Sequence, residues 1–221
     1  MLVTEAHMPT DQTTPDAAQP VHHAHVADLE TCLDLINTVE LTDGVPEDHT
    51  ATQGSVIEWL EAKGLVHADD IAAQADAAPE RWLARFRAAR ASLREVWDAA
   101  VEGRPADRHA LAAVNELLSR APHPRLEAAP GGVVVGHRHD PADPTGEALA
   151  RIASPLIASL EAGDTARFRV CANDGCRWVF EDTSRGGRRR WCDMNTCGNR
   201  AKVRRFRSRR RMPDSGGPSA A

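Results

Sequence analysis

The sequence predicts an α+β fold that is mainly α: a helical N-terminal domain with a small β-hairpin, then a small four-cysteine domain ending in a basic helix. Three observations carry this prediction. Apolar residues recur at helical spacing through most of the stretch from Asp28 to Gly163, broken by turn residues at Pro130-Gly131-Gly132. Four of the five cysteines, Cys171, Cys176, Cys192 and Cys197, form two C-x4-C pairs with fifteen residues between them. Charge is segregated: residues 167–211 carry 15 Lys/Arg against 4 Asp/Glu, a net of +11, whereas residues 1–166 carry 12 against 27, a net of −15. At 221 residues the chain is long enough for one or two domains with a real core.

Residues 1–25, rich in Thr, Pro, Asp and Gln, are expected to be a disordered leader, with His22, His23 and His25 part of it rather than of a metal site. The helical domain is expected over 26–165. In its first helix Leu29, Cys32, Leu33 and Ile36 share an apolar face, so Cys32 reads as a small core residue. Asp34 and Asn37 are polar groups inside that apolar run. They are candidates for lining a ligand pocket, and capping or internal hydrogen bonding is the alternative. Residues 42–54 read as a loop, and Ser55 as the cap of a helix stopped by Gly64. A helix from Asp69 to about Ala78 follows.

Pro79 and Gly103 frame a long helix with a stripe through Leu83, Phe86, Leu93, Val96, Trp97 and Val101, and with Arg81, Arg85, Arg87, Arg90 and Arg94 on a solvated face. Residues 106–120 form another amphipathic helix. Two short strands around Pro130-Gly131-Gly132 make the hairpin. Thr145 is expected to cap the last helix, with a kink at Pro155. The four-cysteine domain occupies 166–211, and residues 212–221 are expected to be a disordered tail.

Paired cysteines at this spacing suit a tetrahedral four-thiolate zinc site, because each pair aims two thiolates at one ion. The alternative is a pair of disulfides. The N-terminal MLVTEAHMPTDQTTPD shows no apolar signal core, so a reducing compartment is expected, where clustered cysteines more often hold metal. Four thiolates leave no open coordination position, so the expected ion is one structural zinc, and the segment reads as a zinc finger.

Phe168, Val170, Trp178, Val179, Phe180 and Trp191 are expected to make a small finger core that needs the metal. Arg185, Arg188, Arg189 and Arg190 form a cationic loop. From Cys197 onward, Asn199, Arg200, Lys202, Arg204, Arg205, Arg207 and Arg209 lie on a basic helix. Its Val203 and Phe206 are expected to pack back on the finger, leaving Arg200, Arg204, Arg207 and Arg211 along one outward side. Such a helix can lie in a groove of DNA, with most arginines on phosphates and one or two on guanine edges. Asn199 reads first as a helix cap.

The segment CRWVFEDTSRGGRRRWCDMNTCGNRAKVRRFRSR resembles the CGNR zinc-finger family, whose signature is here Cys197-Gly198-Asn199-Arg200. Phe180, Asp182, Ser184-Arg185, Arg189 to Cys192 and Lys202 add to the match, while Asp193 departs from it. Thr31 to Thr38 resembles the opening of the ABATE domain, which commonly precedes such fingers. The resemblance implies a double-stranded-DNA-binding bacterial transcriptional regulator, cytoplasmic and nucleoid-associated when bound, with the N-terminal domain sensing an unknown small-molecule effector or forming a homodimer. An RNA-binding protein is the second reading, and an enzyme with its site in the N-terminal domain the third. No Ser/His/Asp order, redox CxxC or paired-carboxylate motif is present, so an enzyme is not expected. No run of eighteen apolar residues exists, so no membrane association is expected.

Overall fold

The N-terminal helices pack around α4 (Pro79–Glu102), the longest element, in a computed structural model that describes residues 27–211 apart from the side chains of Arg138 and residues 209–211. The leader, its histidines and the tail lie outside the described residues. Pro79 opens α4 where no backbone donor is needed, and Gly103 closes it in the left-handed conformation at φ +63°. Its Trp82, Phe86, Leu93, Val96 and Trp97 are buried. They meet α1 (Leu29–Asn37), α3 (Ala68–Ala77), α5 (Arg108–Leu118) and α6 (Pro144–Glu161), which contribute Leu35, Ile36, Ile71, Val114, Leu149, Ile152 and Leu156 to one continuous core. Cys32 is fully buried there, and burial pushes its thiol up to about 12.

The mainly α architecture with small sheets is the expected one, but its sheets number three among the described residues. β3 (His123–Ala129) and β4 (Gly132–Arg138) form the expected hairpin. A second hairpin, β1 (Val39–Thr42) with β2 (Val45–Asp48), replaces most of the loop expected at 42–54. Its turn is Asp43-Gly44, both with positive φ, a pairing that favours tight hairpins. The third sheet pairs β5 (Phe168–Val170) with β6 (Val179–Glu181) inside the finger.

Two caps fall earlier than expected. Thr52, not Ser55, caps α2 (Gln53–Ala62), with Ser55 completing a capping box. Asp143, not Thr145, caps α6 by accepting from the Gly146 N–H at 3.0 Å. Thr145 is buried and hydrogen-bonded to Trp82 and Gln74.

The solvated arginine face of α4 also needs correction. Arg90 is buried and grips the Asp48 carboxylate through both Nη1 and Nη2 at 2.7 Å, while Nη1 also donates to Thr38 and Thr50. Burial raises the Asp48 pKa, but the Arg90 and Thr50 hydrogen bonds outweigh it and hold the carboxyl down at about 2. Arg90 thus ties the second hairpin to α4. Arg85 pairs in the same forked way with Asp143.

The finger is continuous with this core. Phe168 and Val179 belong to the large N-terminal cluster, and Val170 packs against it. The expected separate finger core is therefore split. Among the described residues only Cys171, Phe180 and Cys197 are buried in the finger's own cluster, flanked by Trp178, Trp191, Cys176 and Cys192.

Candidate metal centre and nucleic-acid interface

Cys171 follows β5, and the turn Ala172 to Gly175 returns the chain so that Cys176 faces it. The Cys176 N–H bonds the Asn173 carbonyl at 2.8 Å, and Arg177 takes a left-handed φ of +57° to leave the turn. At Gly175 the turn passes close to the β1–β2 turn: a Cβ there would sit 3.3 Å from the Gly44 backbone nitrogen, and the neighbour would have to give by a few tenths of an ångström. Asp193 caps the turn carrying Cys197 (Met194–Gly198), accepting from the Thr196 N–H at 2.7 Å and the Thr196 hydroxyl at 3.0 Å. Those bonds hold its pKa below the ordinary value. The acid that departs from the family pattern is therefore the cap. Asn199, expected in that role, instead donates from Nδ2 to the Asn195 carbonyl at 3.0 Å.

The four cysteines form no disulfide, and their Sγ atoms lie within 4.8 Å of one another. Zinc–sulfur bonds of about 2.3 Å in a tetrahedron place the sulfurs about 3.8 Å apart. Cys176 and Cys192 are separated by 3.7 Å, and Cys192 and Cys197 by 3.8 Å. The donor set fits one structural zinc, held by Cys171, Cys176, Cys192 and Cys197. Without the ion, burial pushes Cys176 up to about 11, and burial followed by the neighbouring Cys171 and Cys176 raises Cys192. For Cys197, burial acts upward but is outweighed by hydrogen bonds, Asn173 foremost, and the pKa is lowered. Metal binding at neutral pH therefore releases protons.

Asn173, only 1% exposed, was not legible as a functional residue. Its Nδ2 donates to Cys197 Sγ at 3.4 Å, and its Oδ1 accepts from Arg204 Nη1 at 2.7 Å. It joins a ligand to α7 (Asn199–Arg211), the basic helix. Arg204 makes that link and Arg200 reaches Asp43 at 3.3 Å, although both arginines are exposed. Val203 and Phe206, expected to pack back on the finger, are not buried: they are 48% and 59% exposed. Helix α7 is exposed all round from Lys202 to Ser208. Lys202, Arg205 and Arg207 are exposed on it, and the Arg209 side chain lies outside the described residues.

Arg189 is also committed to the finger. It sits over the Phe180 ring at 4.6 Å and donates to the carbonyls of Trp191 and Cys192. Arg190 lies over Trp191 at 5.3 Å and is exposed, as are Arg185 and Arg188.

The cationic loop hangs from the buried Asp182. Its carboxylate accepts from the Ser184 hydroxyl at 2.5 Å and N–H at 3.0 Å, and from the Arg189 N–H at 2.7 Å. The Ser184 hydroxyl is the foremost of the bonds that lower its pKa. A depressed carboxyl stabilises the fold above its ordinary pKa of about 4, and the contribution is lost as pH falls through the folded value. Hydrogen-exchange protection of the Ser184 and Arg189 amides is expected to be high at neutral pH and to fall in acid. In Asp182→Asn it is expected to be low throughout, and unchanged protection in that variant would contradict this account.

Asp34 and Asn37 have structural partners. Asp34 pairs with Lys63 at 2.5 Å. Asn37 is buried and clamps the Val179 backbone, donating to its carbonyl and accepting from its N–H, both at 2.9 Å. It occupies the place of a neighbouring strand and fixes the finger to the end of α1. Neither residue lines the two clefts described here. One, of about 430 Å³, separates β1 from the zinc site and leaves Cys176 and Cys192 half-buried, which gives metal a path in.

A closed four-thiol centre carrying a cationic helix defines a zinc-finger protein. Residues 29–163, more than half of the chain, match the ABATE family, described as "putative stress-induced transcription regulator", and residues 167–210 match the CGNR zinc finger. The chain belongs to the ABATE family, with a CGNR finger at its C-terminal side, and the identification supports a regulator of transcription. No curated protein matches the chain. Among the described residues no helix is long and apolar enough to cross a membrane.

Proposed function

We propose that the chain regulates transcription by binding double-stranded DNA through α7 and the loop around Arg185 and Arg188, and works by binding rather than by turnover. The observation that carries this reading is a helix without a single acid, Asn199–Arg211, emerging directly from the metal centre with Lys202, Arg205 and Arg207 exposed. Anchoring at Asn173 and Cys197 gives that helix a fixed direction, so its charges are presented as a constant pattern. The strongly acidic N-terminal domain repels DNA and confines contact to the finger.

The N-terminal domain is proposed to sense a small-molecule effector or to form a homodimer. A cleft of about 560 Å³ supports the effector role. It lies between the α2–α3 connection and α6, with Glu61, His67, Asp70, His139, Glu147 and Arg151 in its lining. Glu147 is buried at its floor, 2.6 Å from His139 and paired with Arg151. The site of action is taken to be the bacterial cytoplasm, at the nucleoid when bound.

Salt titration tests the DNA reading. Among the described residues of the loop and α7, Arg185, Arg188, Arg190, Lys202, Arg205 and Arg207 are exposed cations not committed to anchoring the finger, and engagement of these six gives a slope of log affinity against log salt near −5, at about −0.9 per phosphate. A flat response would remove the electrostatic account.

A further inference from the structure

We infer that Arg185 and Arg188 are specificity-determining residues that enter the minor groove of A·T-rich duplex DNA. This rests on the DNA-binding reading. Three other arginines build the loop that carries them. Arg167 donates to the carbonyls of Asp182 and Ser184 at 2.7 and 3.2 Å, Arg169 holds the Gly187 carbonyl at 2.7 Å, and Arg189 lies over Phe180. Arg185 and Arg188 are exposed, and among the described residues neither makes a hydrogen bond or an ion pair. They stand at the two ends of Gly186-Gly187, the tip of the loop.

The tip is held in one shape. The Gly187 N–H donates to the Ser184 carbonyl at 3.2 Å and closes a tight turn. Gly187 itself takes a left-handed φ of +58°, which favours glycine. Beneath the turn the buried Asp182 carboxylate accepts from the Ser184 and Arg189 N–H groups at 3.0 and 2.7 Å. No side chain stands between the two arginines, so the tip is a slender backbone ridge with a cation at each end.

Width and charge decide where such a ridge fits. The minor groove of B-form DNA is about 6 Å wide, which excludes an α-helix about 10 Å across but admits slender groups. It is narrower still along A-tracts, where its enhanced negative potential draws arginine in. Residues 183–190 hold four arginines and no lysine. A guanidinium is more weakly hydrated than an ammonium, so it enters a confined groove at less cost. Phosphate contact alone would not call for a tip stripped of side chains.

The test uses the zinc-loaded full-length chain as wild type, Arg185→Lys and Arg188→Lys, which keep the charge. A duplex site that wild type selects from a random pool is then altered one A·T pair at a time. Diaminopurine·thymine adds an amino group in the minor groove and keeps the major-groove face. Inosine·cytosine changes the major-groove face and leaves the minor groove without that amino group. At one or more pairs diaminopurine is expected to weaken wild type roughly 5- to 100-fold, while inosine at the same pairs is tolerated. In Arg185→Lys or Arg188→Lys that penalty is expected to shrink, with the salt slope unchanged. Both side chains are exposed, so the variants keep the fold, checked by circular dichroism and zinc content. Tolerance of diaminopurine at every pair, or a penalty that both lysine variants retain in full, would overturn the inference while leaving DNA binding intact. Duplex binding with no shared sequence, or with a shared site lacking A·T pairs, would overturn it in the same way. Retention of RNA but of no duplex DNA would remove the DNA-binding reading itself, and the inference with it.

Discussion

Removal of zinc is expected to unfold the finger and to loosen the N-terminal domain with it. The finger's own cluster has only three buried residues, Cys171, Phe180 and Cys197, and two of them are ligands. So small a cluster cannot offset the chain entropy of the segment. A structural zinc contributes about 10–16 kcal/mol in comparable small modules, far more than this cluster's apolar burial supplies. The effect spreads because Phe168 and Val179 of the finger lie in the N-terminal core and because Asn37 is clamped to Val179. Chelation, or Cys192→Ser, is therefore expected to abolish stoichiometric zinc, change the fluorescence of Trp178 and Trp191, and lower the melting temperature of the whole chain. Full zinc content and an unchanged fold in Cys192→Ser would show that the cluster is not the metal site.

Trp97→Ala is expected to cause the largest loss of stability among single core substitutions. Trp97 is fully buried on α4 and stacks on Phe168 with ring centroids 3.9 Å apart and planes 13° from parallel. Its Nε1–H donates to the Arg169 carbonyl at 3.1 Å. Truncation removes the ring, leaves a cavity at the seam between helical domain and finger, and strands that carbonyl. The cost of such a change is about 3–5 kcal/mol, a large part of the total for a domain of this size. Urea denaturation of the zinc-loaded chain measures it. Trp97→Phe keeps an aromatic surface and loses the hydrogen bond, so it is expected to lose less. A loss below about 1 kcal/mol in Trp97→Ala would mean that the seam is not the joint described here.

The parts of this fold that the sequence made legible are those governed by local rules. Pro79 and Gly103 marked both ends of α4, the Pro-Gly-Gly turn marked β3 and β4, and cysteine spacing marked the metal centre. The β1–β2 hairpin was missed although Asp43-Gly44 is a strong turn pair, because its strands lack an alternating apolar pattern: Val45 is exposed and Glu40 faces Glu47. Arg90 was read as solvated because periodicity places it among other arginines. Its burial depends on Asp48, forty-two residues earlier in the chain. Asn37 was recognised as a polar group in an apolar run, but its partner, Val179, lies 142 residues away. The links of α7 were hidden for the same reason. Hydrophobicity alone turns Val203 and Phe206 inward, whereas the helix is exposed all round and is tied down by Arg200 at Asp43 and Arg204 at Asn173.

The central claim is that zinc organises a surface that binds duplex DNA, and its most direct test is retention of genomic DNA fragments by the zinc-loaded chain before and after chelation. The account predicts that fragments sharing a sequence are retained at physiological salt and released when the metal is removed. Retention that survives chelation unchanged, or no retention of duplex DNA at any salt concentration, would contradict it.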